Sequence, residues 1–294
     1  MLSALASEHP VVSETFATAS DVLDYDLWQL VSEGPEEDLN QTDRTQPAML
    51  AAGVATWRVF QQQHAIRPEI MAGHSLGEYT ALVCAGSLAF EDAVGVVADR
   101  GRFMQEAVPA GSGAMAAILG LDDDKVTEVC RQSALDEVLS PVNFNSPGQV
   151  VIAGNTEAVN RAAELARSCG AKRAIILPVS VPSHCALMKP AADRLKERLD
   201  GVQFAQPDVP VIHNTVVEAY VNGNEIRNAL VSQLFSPVRW VETIRYFGNM
   251  GVDILIECGP GKVLTGLNKR IDREMAAFPV FDPATLGKAT AAIA

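Results

Sequence analysis

Residues 113–179 carry strand and helix signals in the order strand, helix, strand, strand, helix, strand, which restricts this stretch to very few packings. Apolar and β-branched runs at 113–119, 138–145, 149–153 and 174–179 read as strands. A helical stretch from Asp122 to about Ala134 separates the first two. A second helix, capped by Asn155 or Thr156, runs to about Cys169, and Gly170 ends it. This order is the split βαβ unit of a ferredoxin-like subdomain. The flanks follow a different rhythm. Thr45 can cap a helix over 47–63 that has Pro47 in its first turn and an apolar stripe of Met49, Leu50, Val54, Trp57 and Phe60. A strand at 66–72 leads into a helix at 76–85, and helical 188–199 with strands at 209–214 and 253–257 return to a larger α/β pattern.

Composition bounds what such a chain does. With 294 residues, 48% of them hydrophobic, it can bury one large domain or two unequal ones. No apolar run approaches the roughly 18 residues of a spanning helix, and Met1 to Pro10 lacks the regions of a signal peptide, so a cytoplasmic protein is expected. The net charge of −13 argues against nucleic acid as a partner. The loose basic cluster Lys189, Arg194, Lys196 and Arg198 could meet an acidic protein, although an ordinary solvated helix face is the preferred reading. Cys84, Cys130, Cys169, Cys185 and Cys258 form neither a CxxC pair nor a zinc-type cluster, so reduced thiols and no metal are expected.

Gly73-His74-Ser75-Leu76-Gly77 falls between the strand at 66–72 and the helix at 76–85. A GxSxG pattern alone is common. In this context the glycines permit a tight turn that lifts Ser75 clear of a sheet, and the helix N-terminus puts the Leu76 N–H near a developing oxyanion. Serine needs a base, and the five histidines are His9, His64, His74, His184 and His213. His74 adjoins Ser75 on a sharp turn, where neighbours point apart, and reads as a packing or hydrogen-bonding residue of that turn. His9 and His64 sit in polar helix ends. His184 leaves an apolar strand on the Pro-stiffened loop Val181-Pro182-Ser183 and is the better candidate, with His213 as fallback; a structural histidine stays open at both.

Several further segments make the chain resemble the bacterial malonyl-CoA:acyl carrier protein transacylases. They are Thr45-Gln46-Pro47-Ala48, the nucleophile turn continued by Glu78-Tyr79, Arg100-Gly101-Arg102-Phe103-Met104-Gln105, Asn143-Phe144-Asn145-Ser146-Pro147-Gly148-Gln149, Val181-Pro182-Ser183-His184 and Gly259-Pro260-Gly261-Lys262. The resemblance implies an α/β fold: an α/β-hydrolase-like catalytic subdomain over 1–108 and 180–294, with a ferredoxin-like α+β subdomain inserted at 109–179. It implies Ser75 as acylated nucleophile, His184 as base and acid, the Gln233 main-chain carbonyl orienting His184, and the Leu76 N–H as an oxyanion donor. Arg100 would hold the malonyl carboxylate, with Met104 and His74 also on the substrate. On a helix from Glu91 to Ala107, Arg100 borders the face of Val97, Gly101 and Met104, and an ordinary surface salt bridge is its alternative reading.

The implied reaction uses malonyl-CoA as a substrate, an acyl carrier protein as acceptor and no cofactor, in a monomer that binds neither nucleic acid nor membrane. The family begins with a strand and a Gln-containing loop that supplies a second oxyanion donor, whereas this sequence opens at Met1-Leu2-Ser3-Ala4-Leu5, matching the helix after that loop. The expectation is a sheet one strand short and a site with one donor fewer, from a shortened chain or a start assigned downstream. A GxSxG thioesterase and a weakly active homologue that only binds CoA or carrier protein are the alternatives.

Overall fold

The computed structural model describes residues 2–63, 66–179 and 181–293; His64 and Ser180 lie outside the described residues. Four helices come first: α1 (Ser3–Glu8), α2 (Pro10–Leu23), α3 (Leu27–Glu33) and α4 (Glu36–Leu39). They lead into α5 (Thr42–Gln63). Pro10 occupies the first turn of α2, where its missing N–H costs nothing, and Asp26 caps α3 by accepting the Gln29 N–H at 2.8 Å.

The α5 helix begins five residues before the expected start at Pro47. Thr45 therefore caps nothing: it lies inside the helix, and its hydroxyl donates back to the Leu39 carbonyl at 2.5 Å. Pro47 lies inside the helix, where it removes the bond its N–H would have made to the Asp43 carbonyl. The buried face is also smaller in side chain than expected. Met49 is exposed, while Ala48, Leu50, Ala51, Ala52, Val54, Ala55 and Val59 are buried. That alanine-rich face lets α5 lie close to α7.

The next elements are β1 (Met71–Ala72), α6 (Gly77–Cys84) and α7 (Phe90–Glu106). Only the last two residues of the expected strand at 66–72 pair. A Cβ on Gly101 of α7 would come within 2.6 Å of the Thr42 oxygen and the Asp43 Cα, so α7 meets the start of α5 backbone to backbone. This contact brings Arg100 beside Gln46.

The inserted unit comprises β2 (Gly113–Leu119), α8 (Asp123–Ala134), β3 (Leu139–Ser146), β4 (Gln149–Asn155), α9 (Thr156–Ser168) and β5 (Arg173–Ile176). Its strands form one antiparallel sheet in the order β3-β4-β2-β5, so the first and last strands of the unit lie side by side. That is the ferredoxin-like arrangement expected from the order of signals. One face buries Ile118, Val150 and Ile152 under Val126, Val129, Val159 and Ala162 of the two helices. The other packs Met115, Val142, Val151 and Ala153 with Cys185, next to His184.

The chain then runs through a 3-10 turn (Ala186–Met188), α10 (Lys189–Asp200), β6 (Val211–Ile212), α11 (Gly223–Gln233) and α12 (Trp240–Asn249). It ends with β7 (Ile254–Cys258), α13 (Val263–Ile271), β8 (Ala276–Val280) and α14 (Pro283–Ile293). Strand β6 pairs parallel with β1, and β7 pairs parallel with β8 across the α13 crossover. On α10, Arg194 pairs with Glu106 and Arg198 with Asp99, so half of the basic cluster noted in the sequence is already neutralised by α7. Among the described residues no helix is long and apolar enough to cross a membrane.

Candidate active site

Ser75 sits between β1 and α6 with φ of 52°, a left-handed conformation that costs a non-glycine residue energy. A Cβ on Gly73 would overlap the Gly77 backbone, so only glycine lets the turn close this tightly. Asn214, just after β6, holds the turn from below. Its Oδ1 accepts the Ser75 N–H at 2.7 Å, and its Nδ2 donates to the Gly73 carbonyl at 2.7 Å.

His184 comes from the loop after the inserted unit and also has positive φ, at 65°. Its N–H donates to the Leu234 carbonyl at 2.9 Å. The ring bridges two partners: Nδ1 lies 2.6 Å from the Gln233 carbonyl oxygen and Nε2 lies 2.8 Å from Ser75 Oγ. A carbonyl can only accept, so the ring proton is on Nδ1 and Nε2 presents its lone pair to the serine hydroxyl. Gln233 is the last residue of α11, where main-chain carbonyls lack partners within the helix. The negative end of the helix also favours an imidazolium. Burial, then the nearby Arg100 charge, hold the His184 pKa down to about 3, against the opposing bond to Gln233. The resting imidazole is neutral.

Arg100 reaches the same point from α7 and is 2% exposed. Nη1 donates to Gln46 Oε1 at 2.6 Å; Nη2 donates to Gln233 Oε1 at 2.9 Å and lies 3.5 Å from Ser75 Oγ. All three acceptors are neutral. Its Nε is buried with no hydrogen-bond partner among the described residues, and burial pulls its pKa below the ordinary guanidinium value. A desolvated cation beside a nucleophile, with two amides and a hydroxyl as acceptors and the Tyr79 ring centroid 5.6 Å from its Cζ, is suited to an anionic substrate. The surface salt bridge considered for Arg100 does not fit this burial. Arg102, by contrast, points outward and pairs with Asp99 at 2.6 Å.

The remaining residues expected at the site lie close by. Leu76 leads into α6 directly after Ser75. Met104 is buried one turn beyond Arg100, its sulfur 3.5 Å from Gln46 Nε2. His74 bonds through Nε2 to Asn145 Oδ1 at 2.7 Å and packs on Trp240, with ring centroids 5.6 Å apart; desolvation lowers its pKa. It is thus committed to the inserted sheet, as expected for a neighbour pointing away from Ser75. His213, the fallback base, is buried and bonded to Glu78 Oε1 at 2.7 Å. Gln46, Glu78, Asn145 and Asn214 had no assigned role in the sequence. Three of them lie in the segments that carry the family resemblance, which was the available signal, and Asn214 had none.

The Ser75–His184 pair, oriented by a carbonyl and flanked by Arg100, can transfer an acyl group through a serine ester. The acyl transferase domain family matches residues 3–280. The chain belongs to this acyl transferase family. Its relatives include the malonyl CoA-acyl carrier protein transacylase of Escherichia coli K12, 56% identical over 98% of this chain and 94% of the relative. Among solved structures, the acyl carrier protein S-malonyltransferase of Vibrio cholerae superposes with a TM-score of 0.96 at 57% identity, covering 98% of this chain and 94% of that one. A malonyl-transacylase in complex with its type II polyketide acyl-carrier protein superposes at 0.97 with 56% identity and the same coverages. The resemblance and the fold class read from the sequence are both borne out, and this acyl transferase is an enzyme of the transacylase type.

Proposed function

We propose that this acyl transferase moves malonyl from malonyl-CoA to the pantetheine thiol of an acyl carrier protein, in fatty-acid biosynthesis. The observation that carries the reading is Arg100, a buried guanidinium 3.5 Å from Ser75 Oγ whose partners are all neutral. A planar fork there can take a short acyl carboxylate at two points, and an acetyl group would leave it desolvated and unpaired. The names of the relatives support the same donor and acceptor.

In this reaction Ser75 Oγ attacks the thioester carbonyl while His184 Nε2 takes its proton, and the imidazolium is steadied by the Gln233 carbonyl. The Leu76 N–H donates to the oxyanion. Coenzyme A leaves as thiolate and takes the proton from His184. The carrier thiol then gives its proton to His184 and attacks the ester carbonyl, and Ser75 Oγ leaves, taking that proton back from His184 Nε2. Arg100 binds the malonyl carboxylate and Met104 shapes the pocket wall, while His74 supports the nucleophile turn through its bond to Asn145. The reaction needs no cofactor. The proposed division is a catalytic subdomain at 1–108 and 180–294 and a ferredoxin-like one at 109–179, in a cytoplasmic monomer.

The test is incubation with malonyl-CoA and carrier protein, following malonyl-carrier formation against free malonate, with intact mass of the protein and of Ser75→Ala. Malonyl on the carrier and a malonyl adduct on the parent alone are expected. Predominant malonate release would mean a thioesterase, and no adduct would mean a protein that only binds.

A further inference from the structure

Glu78 lies in the first turn of α6 and is fully buried, yet the reaction as written does not use it. A carboxylate in that place is costly unless it is well hydrogen-bonded. Its partners come from other elements. Oε1 accepts from His213 Nδ1 at 2.7 Å, and Oε2 accepts both the Asn214 N–H and Gln233 Nε2, each at 2.9 Å.

The bond to Gln233 decides which way that amide faces. Gln233 Nε2 has two acceptors, Glu78 Oε2 and the Ser75 carbonyl at 3.0 Å, so Oε1 must point at Arg100 Nη2. A reversed amide would set oxygen against oxygen twice and nitrogen against a guanidinium. The charges of Glu78 and Arg100 are therefore joined through one polarised amide rather than in contact, which leaves the guanidinium free to meet a second anion. Through Oε2, Glu78 also orients Asn214, whose side chain holds the Ser75 turn.

We infer that Glu78 is a positioning residue for malonyl recognition, fixing the Gln233 amide so that Arg100 faces the acyl group on Ser75. The inference rests on the malonyl-transfer reading above. Glu78→Gln keeps the size but loses the charge and one certain acceptor, so Gln233 can reverse and Arg100 loses its bond to Oε1.

The experiment compares malonyl with acetyl transfer, each normalised to the amount of serine that can be acylated, so that a loss of folded protein does not enter the ratio. Glu78→Gln should lower the malonyl-to-acetyl ratio by about tenfold or more, on the scale of a site's unpaired polar group. Glu78→Asp should recover part of it. In an Arg100→Ala background, Glu78→Gln should leave the ratio where it was. Gln233→Met keeps the carbonyl for His184 and removes only the amide, so it should reproduce the fall even where Glu78→Gln does not fold. An unchanged ratio in Glu78→Gln or Gln233→Met, or an equal fall with and without Arg100, overturns the inference. A parent protein with no preference for malonyl overturns the functional reading, and this inference with it.

Discussion

Arg100 Nη2 lies 3.5 Å from Ser75 Oγ, so the cation and the nucleophile address the same small volume. An acyl group on Ser75 can reach Arg100 with a carboxylate three bonds along the chain, as in malonyl. Arg100→Ala should lower the malonyl-to-acetyl transfer ratio by about a hundredfold or more. Arg100→Lys should fall between, because an ammonium keeps the charge and loses the two-point fit. Transfer rates with both donors, measured beside thermal unfolding, check this. A ratio that stays constant while stability drops would make Arg100 a structural residue.

Ser75 combines chemistry with backbone strain, since its φ is 52°. Ser75→Ala should abolish the acyl adduct and keep the strain. Ser75→Gly should abolish it too, yet unfold later than the alanine variant, by about 1 kcal/mol. Intact mass and denaturant melts of the two variants test both halves. Equal stability would show that the turn is relaxed in solution.

His184 is held neutral, with its pKa near 3 instead of 6.5. For a base whose folded pKa is depressed, the unfolded chain binds the proton first as pH falls. Stability from this group is therefore present above pH 6.5 and is lost between there and about 3, to a total on the order of a few kcal/mol. The acid limb of acylation by the free enzyme should lie well below the ordinary histidine range. Arg100→Ala should move it upward, because the Arg100 charge is one of the causes. A pH profile with its limb at the ordinary histidine value in both proteins would contradict this.

Asn214 holds the nucleophile turn with two bonds of 2.7 Å, to the Ser75 N–H and the Gly73 carbonyl. Asn214→Ala leaves both main-chain groups unpaired, which should cost about 2–6 kcal/mol of stability at roughly 1–3 kcal/mol each. Displacing Ser75 should also reduce kcat for malonyl and acetyl alike, by about tenfold to a hundredfold. A common loss, with the donor ratio unchanged, separates this variant from Arg100→Ala. Calorimetry and kcat for both donors are the measurements.

Much of this was legible from local pattern. Strand β2 has the bounds expected from its apolar run, and α8, β3, β4 and α9 fall within two residues of theirs. Periodicity and capping report such elements because their causes lie within a few residues of each other. The strand expected at 66–72 shrank to Met71–Ala72, because pairing depends on where β6 lies and not on β-propensity. Likewise α5 began at Thr42 because its first turn packs against Gly101 of α7, a contact between residues far apart in the chain.

The site divides the same way. The glycines around Ser75 and the loop bearing His184 could be named from the sequence, since a turn and a proline are local properties, whereas Arg100 was singled out by the family resemblance. What the sequence by itself determined was therefore the kinds of groups present and the family they resemble. Only the tertiary structure decided their relations. Within reach of Ser75 Oγ it set the lone pair of His184 at 2.8 Å and the guanidinium of Arg100 at 3.5 Å. It also set Glu78 behind them, bonded to Gln233 across 155 residues of chain. The physical reason is that a buried hydrogen bond depends on which polar groups are dehydrated together, and packing, rather than any neighbour in sequence, chooses them.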